Sequence, residues 1–166
     1  MSTLPFKTKN RFADRGVKAE SAVQKFLDLW EGASPYREFN RLVDSKAAGR
    51  TIKAAAADFE FFCRPDPTRK AGCHGLIEVK QTEHEYRLTK ANLTQLPRLR
   101  KRAKAGGLCF VLVLHSSLGL WRCLSMDFLL GPSDKGSWDL RGLPTFSSPG
   151  KALQEVDALF VEEVFS

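Results

Sequence analysis

The residues of this sequence that could perform chemistry together are Asp58 and the short run Glu78-Val79-Lys80. Each falls in a segment rich in apolar residues and predicted to be a β-strand. Residues i and i+2 of a strand point to the same face, so Glu78 and Lys80 project together. An adjacent strand can bring Asp58 beside Glu78. Two carboxylates this close repel each other unless a cation lies between them.

This arrangement predicts a site for a hard divalent cation such as Mg²⁺, with Mn²⁺ as its substitute. The expected ligands are oxygens, which Mg²⁺ prefers: the carboxylates of Asp58 and Glu78 and the backbone carbonyl of Val79. Lys80 is expected to hold a phosphate oxygen or the attacking water, and to offset negative charge in a transition state. A surface strand with a Glu-Lys pair and an unrelated Asp is the simpler interpretation of the same residues.

Two other acidic residues compete with Asp58 as the metal ligand. Asp66 lies between Pro65 and Pro67, in a segment with the composition of a turn. Glu60 is two residues from Asp58 and shares its predicted face. We prefer Asp58 because it follows an apolar segment, whereas Asp66 is placed in a turn.

The net charge indicates an anionic partner. The chain of 166 residues has 26 Lys and Arg and 19 Asp and Glu, a net charge of +7. Residues 1–126 hold 23 basic and 12 acidic residues (net +11), whereas 127–166 hold 3 and 7 (net −4). This asymmetry favours a nucleic-acid-binding face on the main body. No segment has the ~20 apolar residues of a membrane span, and the N-terminus is polar, so we expect a cytoplasmic protein.

Hydrophobic periodicity predicts one α/β domain. We expect a flexible basic arm over 1–12 and a single domain over 13–166, with an extended, weakly packed basic segment over 35–53. Helices are predicted over 16–30, 89–105 and 151–164, with a helical turn over 125–130. Strands are predicted over 54–63, 76–82, 108–115 and 118–124. This order predicts a central mixed β-sheet flanked by helices.

The order and spacing of these motifs resemble the PD-(D/E)xK nuclease superfamily, and within it the RecU-type Holliday-junction resolvases. The resemblance covers about residues 16–115. Two features depart from it: Ala57 stands where the family has Pro, and residues 64–75 separate Asp58 from Glu78 by more than a minimal hairpin. The matching stretches are Gly16 to Glu20, Asp58-Phe59, Ile77 to Thr82, Asn92 to Gln95 and Gly106 to Val113.

The resemblance implies a restriction-endonuclease-like core and a role for each matching position. Asp58 and Glu78 would bind the metal, and Lys80 would be the catalytic lysine. Glu20 would assist at the metal or the water, Gln95 would position the substrate phosphate or the water, and Thr82 would face the same cleft. The segment 37–55 would be a basic stalk-like insertion. The expected DNA contacts, besides Thr82, are Arg37, Arg41, Lys46, Arg50, Lys53, Arg98, Lys101 and Arg102.

The implied function is metal-dependent resolution of four-way (Holliday) junctions in DNA recombination and repair, by a homodimer in a bacterial or phage-infected cell. Hydrolysis would leave a 3′-hydroxyl and a 5′-phosphate. Two alternatives remain open: a nuclease of the same fold acting on flaps, other branches or invading DNA, and a catalytically silent DNA-binding module.

Overall fold

The computed structural model describes residues 11–42, 55–67, 69–132 and 136–160, without the side chains of 11–17. Four helices are present in these ranges: α1 (Arg11–Gly32), α2 (Leu96–Lys104), α3 (Met126–Leu130) and α4 (Pro149–Val156). The strands are β1 (Arg37–Arg41), β2 (Phe59–Cys63), β3 (Cys73–Thr82), β4 (Arg87–Thr89), β5 (Leu108–His115), β6 (Leu120–Ser125) and β7 (Ser137–Asp139). Single 3₁₀ turns occur at Lys90–Asn92 and Ala158–Phe160. None of the helices in the described ranges is long and apolar enough to cross a membrane.

Five strands form one mixed sheet in the order β1-β2-β3-β5-β6. β3 and β5 run parallel, and the other neighbouring strands are antiparallel. β4 and β7 form a separate two-stranded ribbon. β5 is almost entirely apolar because it lies in the sheet interior and is covered on both faces. The predicted central mixed sheet flanked by helices is confirmed.

Each face of the sheet carries its own hydrophobic core. Helices α1 and α4 cover the first face through α1 side chains such as Val23 and Leu27, which pack on Ile77 and Val79 of β3. Helices α2 and α3 and the β4–β7 ribbon cover the second face, where Leu99 of α2 joins the core that contains Leu76. Glu78 belongs to this second face because side chains alternate along β3.

Gly75, three residues before Glu78 on β3, allows β2, β3 and β5 to approach one another closely. A Cβ atom at this position would lie 1.9 Å from the carbonyl oxygen of Leu108 and 2.4 Å from Cζ of Phe61. No side chain larger than hydrogen fits there without moving the backbone. Gly75 is therefore part of the packing that fixes β3 between β2 and β5.

The segment predicted to be extended and weakly packed begins instead as an ordered edge strand. Arg37–Arg41 forms β1 and pairs with the whole of β2. The sequence obscures this strand because its residues are mostly charged or polar, as is common on sheet edges. Residues 43–54, and with them most of the expected stalk, lie outside the described residues.

The first helix is longer than predicted. Helix α1 begins at Arg11, so the end of the expected basic arm is helical. Residues 1–10 lie outside the described ranges, so the arm itself stays a prediction, as does the division into domains.

The prediction of a helix over 89–105 is wrong for the first half of that segment. That stretch holds the end of β4 and the turn Lys90–Asn92, and α2 begins only at Leu96. Pro97 explains the boundary, since proline is tolerated in the first turn of a helix but not in its interior. The final helix also ends early, at Val156. The strand predicted over 54–63 starts at Phe59.

Candidate active site

Asp58 and Glu78 meet where β2 and β3 begin to separate. β2 pairs with β3 from Cys63–Cys73 to Phe59–Ile77, and one further step of the same register would set Asp58 opposite Glu78. Asp58 lies just outside the ladder, and its Oδ2 accepts a 2.7 Å hydrogen bond from the backbone N–H of Val79. The two carboxylates are thus on neighbouring strands at one end of the sheet.

The same hydrogen bond orients the backbone of Val79. The N–H and C=O of a strand residue point to the same side of the strand, so the Val79 carbonyl faces the side on which Asp58 lies. The β2–β3 ladder ends at Ile77, two residues earlier, so no N–H group of β2 pairs with this carbonyl. The carboxylate of Asp58 and the carbonyl of Val79 therefore lie on the same side of β3, the side that faces β2.

Glu78 is completely buried, at 0% exposure. Its Oε1 lies 2.5 Å from Nζ of Lys80, which forms an ion pair with it. Oε2 of Glu78 has no described hydrogen-bond partner, so Lys80 is the one group that satisfies this carboxylate among the described residues. Lys80 is only 22% exposed and projects from the same face of β3. A buried carboxylate with so few hydrogen bonds is costly for a folded protein.

Burial raises the pKa of Glu78 to about 7, with repulsion from Asp58 as the second cause, while Lys80 lowers it in part. Burial also raises the pKa of Asp58, partly opposed by the hydrogen bond from Val79. Both groups would ionise more readily with a cation between them. The pKa values of both carboxylates are therefore raised, as the sequence predicts for two neighbouring carboxylates without a cation.

Glu20 approaches the pair from α1. Its charge raises the pKa values of both Asp58 and Glu78. Its Oε2 accepts a 2.7 Å hydrogen bond from Nη2 of Arg41 at the end of β1. Arg41 is half-exposed, and its charge in turn lowers the pKa of Asp58. Glu20 and Arg41 thus form an ion pair at the margin of the carboxylate pair.

Thr82 shares the face of Glu78 and Lys80 and is buried; its Oγ1 accepts a hydrogen bond from the N–H of His84. Gln95 immediately precedes α2, and its Oε1 accepts a 3.0 Å hydrogen bond from Thr94. Neither residue contacts the carboxylates through a described hydrogen bond. Arg98 donates to the carbonyl of Ala55 and so links α2 to the segment before Asp58.

Two of the predicted DNA contacts, Arg37 and Arg102, lie at the other end of the sheet. Arg37 pairs in register with Cys63, at the opposite end of β1, and donates to the carbonyl of Trp30. Arg102 packs its stem near Gly107, beside the start of β5. Lys101 is an exposed residue of α2 without a described contact to the carboxylates. The remaining basic residues, Lys46, Arg50 and Lys53, lie outside the described residues.

The β2–β3 hairpin places the two competing acids, Asp66 and Glu60, away from the position opposite Glu78. Asp66 lies in its turn, where Oδ1 accepts a hydrogen bond from the N–H of Arg69. The strand from Asp58 to Cys63 spans about 17 Å, and Asp66 lies three residues beyond Cys63. Glu60 shares the face of Glu78 but pairs with Leu76, one step into the ladder. The hairpin geometry thus places Asp58, and neither competitor, across from Glu78.

The donor set fits a hard divalent cation in part. Two carboxylates lie on neighbouring strands, the Val79 carbonyl faces the side on which Asp58 lies, and Oε2 of Glu78 has no described hydrogen-bond partner. In the part of the chain that the structure describes, no three His, Cys, Asp or Glu side chains form a group that could hold a metal ion. Mg²⁺ commonly keeps several waters beside one or two carboxylates, so this set is sufficient for it.

Sequence reasoning missed two polar residues of the same face. His115 and Arg122 are buried, and Arg122 lies opposite Val113, which lies opposite Lys80. Thr82 likewise lies opposite His115. The available signal was the position of Arg122, a charge inside the apolar run Leu120 to Leu124. Such a charge is buried only when other groups satisfy it.

Comparisons with known proteins give matches among solved structures but none among protein families. No family model matches the chain, and no curated protein matches it. A solved structure of Hjc from Archaeoglobus fulgidus, a Holliday junction resolvase from an archaeal hyperthermophile, matches 80% of this chain and 97% of its own. The two share 15% sequence identity, with a TM-score of 0.45. At this level the match does not indicate what this chain binds or cleaves.

Proposed function

We propose that this protein is a divalent-metal-dependent DNA endonuclease that acts on branched DNA. The observation that carries the proposal is the pairing of Asp58 with a fully buried Glu78 whose one described partner is the ammonium of Lys80. A buried carboxylate pair with an adjacent lysine destabilises the folded protein, but it suits phosphodiester hydrolysis.

Each residue of the site would have its own role in metal binding or hydrolysis. Asp58, Glu78 and the Val79 carbonyl would hold Mg²⁺, or Mn²⁺ in its place. When bound, such an ion supplies Lewis acidity toward a phosphate oxygen and lowers the pKa of water. Lys80 holds the attacking water or a phosphate oxygen at Nζ and offsets the charge that develops during attack. Glu20 stays at the margin, where its charge acts on both carboxylates.

The four-way junction is our proposed substrate, in DNA recombination and repair. Its support is the sequence resemblance to RecU-type resolvases, together with the basic character of residues 1–126. A four-way junction is close to two-fold symmetric, so a homodimer with two such sites would cut opposed strands symmetrically. Gln95 would lie near the scissile phosphate, and Arg41 and Arg98 beside the DNA backbone.

The decisive experiment compares wild type, Asp58→Asn and Lys80→Ala on four-way, flap and linear duplex DNA, with Mg²⁺ or EDTA. We expect wild type to cut the junction symmetrically with Mg²⁺, and each variant to lose at least about 100-fold in rate. Glu60→Gln is the matched carboxylate control, since it shares the strand and face of the pair. Lys70→Ala is the lysine control, because Lys70 is exposed near the hairpin turn. Both controls should cut normally.

The other outcomes identify the alternatives. Equal cutting of every substrate would overturn the junction assignment and leave a nuclease of broader specificity. Faster cutting of flaps would assign that substrate instead. Tight binding without cleavage in the presence of Mg²⁺ would show a DNA-binding module and would sink the enzyme proposal.

A further inference from the structure

The loop Glu83–Tyr86, which follows β3, has exposed side chains and an immobilised backbone. All four of its residues are exposed. Yet every carbonyl oxygen from Thr82 to Tyr86 accepts a hydrogen bond. The donors, in that order, are Ser116 (N–H and Oγ), Ser117 (Oγ), His115 (Nδ1), Arg122 (Nη1) and Leu140 (N–H). Surface loops are usually the mobile parts of a fold, and this one is held at each residue.

Two of these donors are buried side chains. His115 is 0% exposed, and its Nδ1 donates to the carbonyl of His84 over 2.6 Å. Arg122 is 7% exposed and donates to the carbonyls of Glu85 and Leu143 and to Nε2 of His115. Burying an arginine requires that its N–H groups be satisfied, and here backbone carbonyls satisfy them. The guanidinium fork therefore fixes the loop to β6.

The loop lies close to the candidate active site. It leaves β3 at Thr82, two residues after Lys80. Lys80, Val113 and Arg122 are opposite one another on three adjacent strands, so Arg122 is about 10 Å from Lys80 across the sheet. Tyr86 is six residues beyond Lys80 and so within about 20 Å of it. A DNA strand held at Lys80 can reach this loop within a few nucleotides.

The exposed surface of the loop combines an aromatic ring with both signs of charge. Tyr86 is 43% exposed, and the guanidinium of Arg141 lies over one face of its ring, 4.9 Å from the centroid. Arg141 is itself held by Asp139. Glu83 and Glu85 add exposed carboxylates on the same loop. An aromatic ring beside an arginine suits a nucleobase, whereas carboxylates repel a phosphate backbone.

We infer that Glu83–Tyr86 is a preformed DNA-contact loop, in which Tyr86 stacks on a base that has left the helical stack at a strand branch. Arg122 is its positioning residue, acting through the carbonyl of Glu85. The carboxylates disfavour a duplex that continues straight past the loop, which gives preference for branched over linear DNA. This inference rests on the proposed function, because it places the DNA strand at Lys80.

The first test measures binding and photo-cross-linking in EDTA, so that it does not depend on cleavage. The probe is a four-way junction with 5-iodouracil at the branch, compared with a linear duplex of the same sequence. We expect a cross-link to Tyr86, and a preference for the junction that falls roughly tenfold in Tyr86→Ala but persists in Tyr86→Phe. Tyr36→Ala is the matched control, since Tyr36 is 40% exposed and lies beyond the opposite end of β1.

The outcomes separate this inference from the proposed function. A wild type that cuts DNA, combined with an unchanged junction preference in Tyr86→Ala, overturns the loop assignment and leaves the nuclease intact. A cross-link to Tyr86 without any cleavage supports the loop and contradicts the nuclease.

The second test concerns Arg122. Arg122→Lys keeps the charge but loses the fork that bridges two carbonyls, so we expect faster amide exchange at 84–86 and a higher KM for junctions, with kcat changed less. Ser117→Ala is a milder variant that releases only the carbonyl of Glu83. It should reduce the junction preference in the same direction without unfolding the protein. Unchanged preference in both variants, with faster loop exchange, would overturn the positioning role.

Discussion

The backbone N–H of Val79 donates a 2.7 Å hydrogen bond to Oδ2 of Asp58. Val79 is the residue between Glu78 and Lys80, so this single bond attaches Asp58 to the strand that carries both of them. Asp58 lies outside the β2–β3 ladder, and the bond takes the place of the ladder at that point. The position of one carboxylate is therefore set by the backbone next to the other.

Replacing Glu78 with Gln should stabilise the metal-free protein at alkaline pH. The pKa of Glu78 is raised from 4.5 to about 7 in the folded state, so the folded protein binds this proton more tightly than the unfolded chain. Wild-type stability should therefore fall as pH rises from about 4.5 to 7, and then level off. The shift corresponds to roughly 3 kcal/mol, an upper value for the gain in the variant at pH 8.

Urea unfolding in EDTA at pH 5 and pH 8 measures this effect. Glu60→Gln, on the adjacent strand, controls for the loss of a carboxylate and should change stability by only about 0.5 kcal/mol. A Glu78→Gln variant that is less stable than wild type at pH 8 would show that the ion pair with Lys80 outweighs the cost of burial.

Adding Mg²⁺ should raise the melting temperature of wild type. An ion that binds only the folded state stabilises it by about 2.7 kcal/mol at 100 times its Kd, which for a chain of this size is about 5 °C or more. EDTA should reverse the shift. Asp58→Asn should fold normally, because its amide oxygen can still accept the hydrogen bond from Val79, but it should lose most of the shift. Differential scanning fluorimetry gives both results, and equal shifts in the two proteins would exclude Asp58 as a ligand.

Acid should weaken the contact between His115 and Arg122. Burial lowers the pKa of His115 below 6.5, and its Nε2 accepts a hydrogen bond from Arg122 only when neutral. The stability that His115 contributes is therefore present above pH 6.5 and lost as the pH falls below it. His115→Gln should be less stable than wild type at pH 7.5, by about 1–3 kcal/mol, and the gap should narrow toward pH 5.

The comparison of these two proteins across pH isolates His115, because every other titrating group is common to both. Urea unfolding at intervals from pH 5 to 8 provides the measurement. A constant gap over that range would mean that His115 does not change its protonation on unfolding.

Gly75→Ala should destabilise the fold by about 3 kcal/mol or more, since its Cβ would lie within 2.4 Å of atoms on both neighbouring strands. Gly142→Ala is the matched control, because a Cβ there meets no atom within 4 Å. Chemical denaturation of the two variants should separate them clearly. Similar stabilities would mean that β2 and β5 can move apart without cost.

Much of the scaffold can be predicted from periodicity. The apolar run that forms β5 and the spacing along α1 are strong local signals, and both elements follow from them. The edge strand β1 does not, because its charged residues owe their conformation to pairing with β2 rather than to local preference. The same applies to the short β4–β7 ribbon, whose partners are distant in sequence.

The sequence by itself determined which side chains share a face. Glu78, Lys80 and Thr82 alternate along one strand, and that alternation follows from backbone geometry alone. The pair Glu78 and Lys80 therefore follows from residue types and their spacing, with Asp58 as the preferred one of three acidic candidates.

Only the tertiary structure decided which acidic residue lies across from Glu78. That choice depends on the register of β2 against β3, which places Asp58 next to Glu78 and Asp66 at the far end of the hairpin. It also depends on burial, which removes Glu78 from water and brings Arg122 and His115 beneath the loop Glu83–Tyr86. Register and burial arise from contacts between residues distant in the chain, and no local pattern records them.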